Sequence, residues 1–178
     1  TTANIDDRVD FDTRIIPEGE VQEWKLSENY NKIPLTDTLL KELEAYKSAG
    51  FLIIKDGEIV SEHYFNGYSD TSLTNSFSMS KSILTLMLGK AIEEGYIESL
   101  DDPITKYLPE FEDDSLAQQC TVGNLSAMTA GYDWSESYYL PLNPTAKAYY
   151  GRDINGQILG RSFVKESGVE YKYLSGVT

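Results

Sequence analysis

The chain has 178 residues, of which 40% are hydrophobic and 12% aromatic, enough apolar content to build a packed core and to argue against a disordered chain. Its formal charge is −14 and its pI about 4.4, which argues against nucleic acid as a partner because few cations can displace phosphate counterions. One cysteine excludes an intrachain disulfide framework, and one histidine leaves no cysteine–histidine cluster for zinc, so we expect no metal site.

The first third of the chain is predicted to contain a lead-in, a helix and a hairpin. Residues 1–35 are polar and irregular, and Thr36 or Asp37 can cap a helix that continues to residue 49, with Gly50 as its C′ stop. The apolar runs FLIIK and EIVSEHYF flank the dipeptide Asp56-Gly57, which favours a two-residue hairpin turn. We interpret the single histidine, His63, as an ordinary residue of the second predicted strand.

A long helix follows the polar loop at residues 66–76. It is predicted to begin at Ser78 and to end at Gly95, because apolar residues recur at helical spacing between these positions. Those apolar residues are Ile83, Leu84, Met87, Leu88, Ala91 and Ile92.

The remaining chain is predicted to hold shorter elements. TVGNLSAMTAGYDW favours a short helix that is capped by Thr121 and stopped at Gly131. Residues 132–151 are predicted to form an aromatic-rich loop, and a helix near residues 153–162 and a short extended piece, VEYKY, come after it.

Some familiar elements are missing from the sequence. No apolar run reaches the roughly 18–20 residues of a membrane-spanning helix, so we expect no span. The first residues carry neither a basic n-region nor an apolar h-region, so no signal peptide is visible, and the sequence leaves open whether residue 1 begins a mature, processed chain. Only two strands are convincing, and an isolated hairpin is marginal unless other elements cover it. We therefore expect the chain to be incomplete relative to the working domain.

Ser78 and Lys81 stand one helical turn apart at the start of the long helix. Side chains at i and i+3 share a helix face, so the Lys81 amine can reach the Ser78 hydroxyl. The positive field of a helix N-terminus favours an alkoxide and disfavours a protonated lysine. This position is therefore poor for a structural cation and good for a general base that activates a serine nucleophile.

The same S-x-x-K spacing occurs a second time, at Ser162 and Lys165. A turn, ESGVEY, follows Lys165, so Ser162 opens no helix, whereas a clean amphipathic helix follows Lys81. Helix context therefore favours Ser78 as the nucleophile.

A third group must relay protons to the leaving group, normally from a Y-x-N or S-x-N element. The candidates are Tyr173-Leu174-Ser175, Tyr64-Phe65-Asn66 and Ser27-Glu28-Asn29. Tyr64 belongs to the predicted hairpin and Ser27 to the lead-in, so we interpret both as structural. Tyr173 stands beyond the helical region, where a relay loop is expected.

Several ordered blocks of the sequence resemble the serine β-lactamase-like hydrolases. They begin with FLIIKDGEIVSEHYFNGY and continue through NSFSMSKSILTLMLGKAIEEGYIESLDDPITKYLPEF, TVGNLSAMTAGYDWSESYY and GVEYKYLSGVT. Within that family, the blocks are most similar to the branch of the class C β-lactamase fold that includes 6-aminohexanoate-dimer hydrolases and related esterases. Ordered blocks at matching spacing are more specific than the S-x-x-K pattern alone.

The resemblance implies an α+β fold of the β-lactamase/transpeptidase type, in which an antiparallel sheet is flanked by helices and accompanied by an all-helical region. Residues 1–50 would be the lead-in and first helix, and residues 51–178 the N-terminal half of one catalytic domain. Residues 51–65 would form the hairpin of its sheet and residues 78–178 its helical region. The family's Lys-Thr-Gly or His-x-Gly element on a C-terminal strand has no counterpart here, so we expect a missing second half.

The resemblance also implies roles for individual residues. Ser78 matches the acylated nucleophile, Lys81 its lysine partner and Tyr173 the catalytic tyrosine of the second element. Ser175 stands at a substrate-binding position where β-lactamases and DD-peptidases usually have asparagine. Serine at that position is common in the amide and ester hydrolase branch.

The aromatic loop is a candidate wall for the acyl pocket. Trp134, Tyr138 and Tyr139 either line that pocket or simply pack beneath a long loop, and the sequence leaves both interpretations open. Asp133 and Glu136 in the same loop are expected to be solvated rather than catalytic.

The function implied is a serine hydrolase that cleaves a small or peptide-like amide or ester through an acyl-enzyme, without a metal or cofactor. The alternatives are a β-lactamase or DD-peptidase, and a penicillin-binding sensor that is acylated without turnover. The resemblance favours a bacterial periplasmic or secreted protein, and a cytoplasmic location stays open.

Overall fold

The structure, a computed structural model, describes residues 4–137, 140 and 142–176. The chain divides into two compact units, residues 1–76 and residues 77–178, which we call the sheet unit and the helical unit. The predicted assignment of residues 51–178 to one catalytic domain stays a prediction.

The sheet unit contains a three-stranded sheet with the order β1-β3-β2. Its strands are β1 (Lys25–Leu26), β2 (Gly50–Lys55) and β3 (Glu58–Tyr64). Strands β2 and β3 form the predicted antiparallel hairpin. The turn residues Asp56 and Gly57 have φ angles of 52° and 79°, the left-handed pair that a tight type I′ turn requires.

Strand β1 corrects the prediction that the lead-in is wholly irregular. It pairs in parallel with β3, and the Lys25 ammonium forms an ion pair with Glu58 across that pairing. A two-residue strand has no periodicity that a sequence could reveal, because it exists only through pairing with residues more than thirty positions away.

Helix α1 (Asp37–Ala45) is shorter than predicted. Thr36 is its cap, since the Thr36 hydroxyl accepts a hydrogen bond from the Leu39 N–H at 3.3 Å. The left-handed residue after the helix is Lys47, at φ 51°, so the predicted stop at Gly50 is wrong. Gly50 instead begins β2, where pairing with Tyr64 outweighs its preference for a helix end.

The helical unit contains four α-helices in its described residues. They are α2 (Ser80–Glu93), α3 (Val122–Ser126), α4 (Pro144–Tyr150) and α5 (Ile154–Leu159). Helix α2 ends as predicted, because Gly95 takes a left-handed φ of 78° directly after the C-cap. No helix among the described residues has both the length and the apolar character to cross a membrane.

Two predictions for the helical unit need correction. Helix α3 has the predicted cap at Thr121 but ends before Met128, whose φ is 58°, so it does not reach Gly131. The predicted loop at residues 132–151 contains helix α4, which Asn143 caps by accepting from the Thr145 N–H at 3.2 Å.

The last two predicted elements need no such correction. Helix α5 lies inside the helix predicted near residues 153–162. VEYKY, predicted as a short extended piece, belongs to no helix or strand in the described part of the chain.

The core of the helical unit is built from turns and loops rather than from α2. Phe111, Tyr132 and Phe163 meet edge to face, with ring centroids 4.8–6.0 Å apart. Trp134 and Leu174 are buried in the same cluster. No residue of α2 is buried within the described structure, so the apolar pattern that predicted this helix does not mark core positions here.

Candidate active site

Ser78 lies in a short 3₁₀ turn, Phe77–Met79, that leads directly into α2. Phe77 has a φ of 45°, a left-handed conformation that is uncommon for an aromatic residue. The Ser80 hydroxyl donates a hydrogen bond to the Phe77 carbonyl at 2.7 Å and stabilises this turn. The turn sets Ser78 two residues before the first residue of α2, so the predicted helix start at Ser78 is two residues early.

The three predicted catalytic side chains meet at one oxygen atom. Tyr173 Oη donates a hydrogen bond to Ser78 Oγ at 2.6 Å, across 95 positions of sequence. Lys81 Nζ donates to the same Ser78 oxygen at 3.3 Å. Lys81 Nζ also lies 5.5 Å from the centre of the Tyr173 ring. A serine oxygen that faces two donors is placed to carry negative charge.

The rival serine has a different environment. Ser162 stands beside Phe163, which forms an antiparallel bridge with Tyr132, so the chain there is extended and opens no helix. Lys165 forms an ion pair with Glu170. The sequence argument against Ser162 therefore agrees with its local structure.

The two rival relay elements lie in the sheet unit and have local partners. Tyr64 Oη donates to a Glu62 carboxylate oxygen at 2.5 Å, and this hydrogen bond raises the pKa of Tyr64 to about 12. Ser27 Oγ accepts from the Asn29 N–H at 3.3 Å in the turn after β1. His63 lies in β3 opposite Phe51, as predicted for a strand residue.

The segment that carries Tyr173 is fixed on both sides. The Lys172 N–H donates to the Met128 carbonyl at 2.9 Å, and Lys172 Nζ donates to the Trp134 carbonyl at 3.2 Å. Leu174 is only 2% exposed and packs in the core. Two residues beyond Tyr173, Ser175 donates its N–H and its hydroxyl to the two carboxylate oxygens of Glu136.

A cavity of about 380 Å³ lies beside the Ser78 cluster. It shares Lys81 with that cluster, and its other lining residues are Ser80, Ile83, Leu84, Met87 and Ser175. Ser175 and Lys81 thus line the same cavity, and the predicted substrate-binding role of Ser175 stays a prediction.

The structure bears on only one of the three aromatic residues predicted to line the pocket or to pack beneath the loop. Trp134 is 2% exposed and belongs to the core, a position that favours the packing interpretation. Its indole ring fills the space beside Gly176, where an added Cβ would lie 2.1 Å from a ring carbon. Tyr138 and Tyr139, the other two predicted pocket residues, lie outside the described residues.

The two acidic residues of the loop differ. Asp133 is largely exposed, and a carboxylate oxygen lies 3.4 Å from an Arg161 guanidinium nitrogen. Glu136 is half-buried against Ser175, so the prediction that it is simply solvated is wrong. No spacing in the sequence could reveal this contact, because 39 positions separate its two members.

The model of the β-lactamase family matches residues 36–176, most of the chain and all of the described site. The chain belongs to the β-lactamase family. The family assignment and the mixed sheet-and-helix architecture agree with the α+β fold that the sequence predicts. Both elements that supply the Ser78 cluster, the turn before α2 and the segment at residues 172–176, lie inside the matched region.

Two comparisons show similarity between this β-lactamase-family chain and proteins named as 6-aminohexanoate-dimer hydrolases. It is 29% identical over 103 residues to the 6-aminohexanoate-dimer hydrolase of Paenarthrobacter ureafaciens, covering 58% of this chain and 26% of that protein. It superimposes with a TM-score of 0.62 on a solved structure named "Putative 6-aminohexanoate-dimer hydrolase from Bacillus anthracis", at 21% identity and over 78% of this chain and 39% of that one. The chain therefore spans between a quarter and two-fifths of the length of these two proteins.

Proposed function

We propose that this chain carries the nucleophile and the proton-transfer groups of a serine hydrolase that cleaves an amide or ester through an acyl-enzyme. The observation that carries the proposal is that Ser78 Oγ accepts hydrogen bonds from both Tyr173 and Lys81. The family assignment supports hydrolysis as the reaction class. The names of the two relatives, each a hydrolase of the 6-aminohexanoate dimer, favour an amide or ester over a β-lactam.

In the acylation step, Ser78 Oγ attacks the substrate carbonyl carbon and its proton passes to the Lys81–Tyr173 pair, in which Lys81 must be the neutral amine in order to accept it. The carbonyl oxygen becomes an oxyanion, and we expect the Ser78 backbone N–H at the helix entrance to stabilise it. One such donor contributes about 3–4 kcal/mol to transition-state stabilisation. Collapse of the tetrahedral intermediate breaks the bond to the leaving group, which takes a proton from Tyr173 Oη.

In the deacylation step, water attacks the acyl carbonyl and the same pair accepts the proton of that water. The bond between the acyl carbon and Ser78 Oγ then breaks, and Ser78 regains its proton. Every proton lost by a nucleophile is returned to a leaving group, so the cycle closes with the residues of the cluster alone.

The test of the proposal is Ser78→Ala, with Ser162→Ala as the matched control from the rival S-x-x-K pattern. We expect Ser78→Ala to lower p-nitrophenyl ester turnover by at least about a thousandfold, because the atom that forms the acyl-enzyme is gone. A fluorophosphonate probe should label the wild type and Ser162→Ala on the peptide that contains Ser78. Because the relatives are longer than this chain, the assay uses the protein at its full natural length.

Two results would contradict the proposal. One is turnover by Ser78→Ala at the wild-type rate, and the other is labelling that moves to the peptide containing Ser162.

A further inference from the structure

We infer that Glu136 is a positioning residue for Tyr173, acting through Ser175. This inference rests on the proposed function, in which Tyr173 returns a proton to the leaving group. The carboxylate lies outside the Ser78 cluster, and it fixes the chain two residues beyond the relay tyrosine.

The contact between Glu136 and Ser175 has the geometry of a clamp. One carboxylate oxygen accepts the Ser175 backbone N–H, and the other accepts the Ser175 hydroxyl at 2.7 Å. An ionised carboxylate has two acceptor oxygens and can therefore take both of these donors at once. Hydrogen bonds to an ionised acceptor are about twice as strong as neutral ones.

Glu136 is itself held by its neighbours. The Thr145 hydroxyl, buried at the start of α4, donates to the Ser135 carbonyl at 2.6 Å. The Asn143 amide donates to Ser135 Oγ at 2.8 Å. Trp134, which directly precedes Ser135, is fixed in the core. The carboxylate therefore stands on a braced segment and can define the position of what it binds.

The clamp supplies one of the fixed points on the C-terminal side of Tyr173. Lys172 holds the N-terminal side through its backbone hydrogen bond to Met128, while Leu174 in the core and Ser175 in the clamp hold the other side. Between them, Tyr173 is partly exposed, with its hydroxyl 2.6 Å from Ser78 Oγ. If the clamp is lost, the hydroxyl is expected to drift from Ser78, and a misplacement of about 1 Å costs roughly a hundredfold in rate.

The test compares substrates with poor and good leaving groups. An alkyl ester or amide needs a proton from Tyr173 as it leaves, whereas p-nitrophenolate leaves without one. We expect Glu136→Ala to lower kcat for the alkyl ester by about tenfold to a hundredfold, and for the p-nitrophenyl ester by clearly less. KM should change little. Asp133→Ala, which removes the other carboxylate of the same loop, should leave both rates near wild type.

Glu136→Gln should recover most of the lost rate, because an amide oxygen still accepts the Ser175 N–H and the amide nitrogen can donate to the Ser175 hydroxyl. Ser175→Ala serves if Glu136→Ala fails to fold, since it removes the 2.7 Å bond and keeps the backbone N–H that donates to Glu136. It should give a smaller loss in kcat that again depends on the leaving group.

Equal losses on both esters, or no loss in either variant, would overturn the inference. Such results leave the proposed function intact, because that function depends on Ser78→Ala and on the site of probe labelling. Conversely, if Ser78→Ala stays active, the nucleophile is wrong, whatever the Glu136 variants show.

Discussion

Two side chains contact the Ser78 oxygen, one from a nearby position in the chain and one from a distant position. Lys81, in the first turn of α2, reaches the Ser78 oxygen in the 3₁₀ turn just before the helix, a contact across only three positions of the chain. Tyr173 reaches it from the opposite end of the helical unit's sequence, at the shorter distance of 2.6 Å. The lysine contact is therefore a local property, and the tyrosine contact depends on the fold.

The variant Tyr173→Phe tests whether the Tyr173 hydroxyl transfers a proton in the proposed reaction. The variant keeps the ring beside Lys81 and removes only the hydroxyl that faces Ser78. We expect kcat/KM for an alkyl ester to fall by about a hundredfold or more, a typical loss when a general acid–base group is removed. Steady-state kinetics against Tyr171→Phe, an exposed tyrosine two positions away, is the measurement. A wild-type rate in Tyr173→Phe would assign the relay to another group.

At the scale of elements, the connection after α2 is organised by Asp102. One of its carboxylate oxygens accepts from Tyr107 Oη and from the backbone N–H groups of Glu98 and Ser99, at 3.1 and 3.3 Å for the latter two. Lys106 Nζ lies 3.3 Å from the same oxygen. The hydrogen bond from Tyr107 is the main cause that lowers the pKa of Asp102, and the Lys106 and Glu98 donors act in the same direction.

A pH-dependent loss of stability follows from that lowered pKa. The unfolded chain binds the proton at a higher pH than the native state does, so Asp102 stabilises the fold above the unfolded pKa of about 3.9. This contribution is lost as the pH falls through the native pKa. We expect Asp102→Asn to lower the free energy of unfolding near neutral pH, and the gap to wild type to close below about pH 4.

Urea unfolding at a series of pH values measures that gap, with the buried Trp134 as the fluorescent reporter. Asp101→Asn is the matched control, since its side chain is the adjacent exposed carboxylate. A gap between Asp102→Asn and wild type that stays constant with pH would show that ionisation of Asp102 does not matter.

At the scale of the whole molecule, the question is which class of carbonyl compound the proposed active site would accept as its substrate. The family to which the chain belongs is described as β-lactamase, whereas the two relatives are named as 6-aminohexanoate-dimer hydrolases. Ser175 bears on this choice because its hydroxyl already donates to Glu136. A serine held in this way offers a substrate less hydrogen-bonding capacity than the asparagine amide expected at a β-lactamase site.

We therefore expect kcat/KM for a p-nitrophenyl ester to exceed that for nitrocefin. Parallel assays of both substrates on the same protein preparation give the ratio, and Ser78→Ala supplies the background for each. Faster nitrocefin turnover would favour a β-lactamase instead. Stoichiometric labelling by penicillin with no turnover of either substrate would favour a sensor.

Local patterns predicted much of the fold and part of the site. The Asp56-Gly57 turn, the Thr36 and Thr121 caps and the Gly95 stop all took the predicted conformations, because each depends on residues within one or two turns of chain. Strand β1 and helix α4 were missed, the first because it exists only by pairing with β3. Helix α4 does have a sequence signal, because Asn143 at the N-cap is followed by Pro144 at the first helical position.

The sequence by itself predicted the contact between Lys81 and Ser78, since residues three positions apart at a helix entrance lie close together. The Tyr173-Leu174-Ser175 pattern and the family resemblance also identified Tyr173 as the candidate proton relay. Only the tertiary structure decided that the Tyr173 hydroxyl meets Ser78 and that Glu136 holds Ser175. Contacts across 95 and 39 positions depend on how turns and the core bring distant segments together, and no period in a sequence encodes that distance.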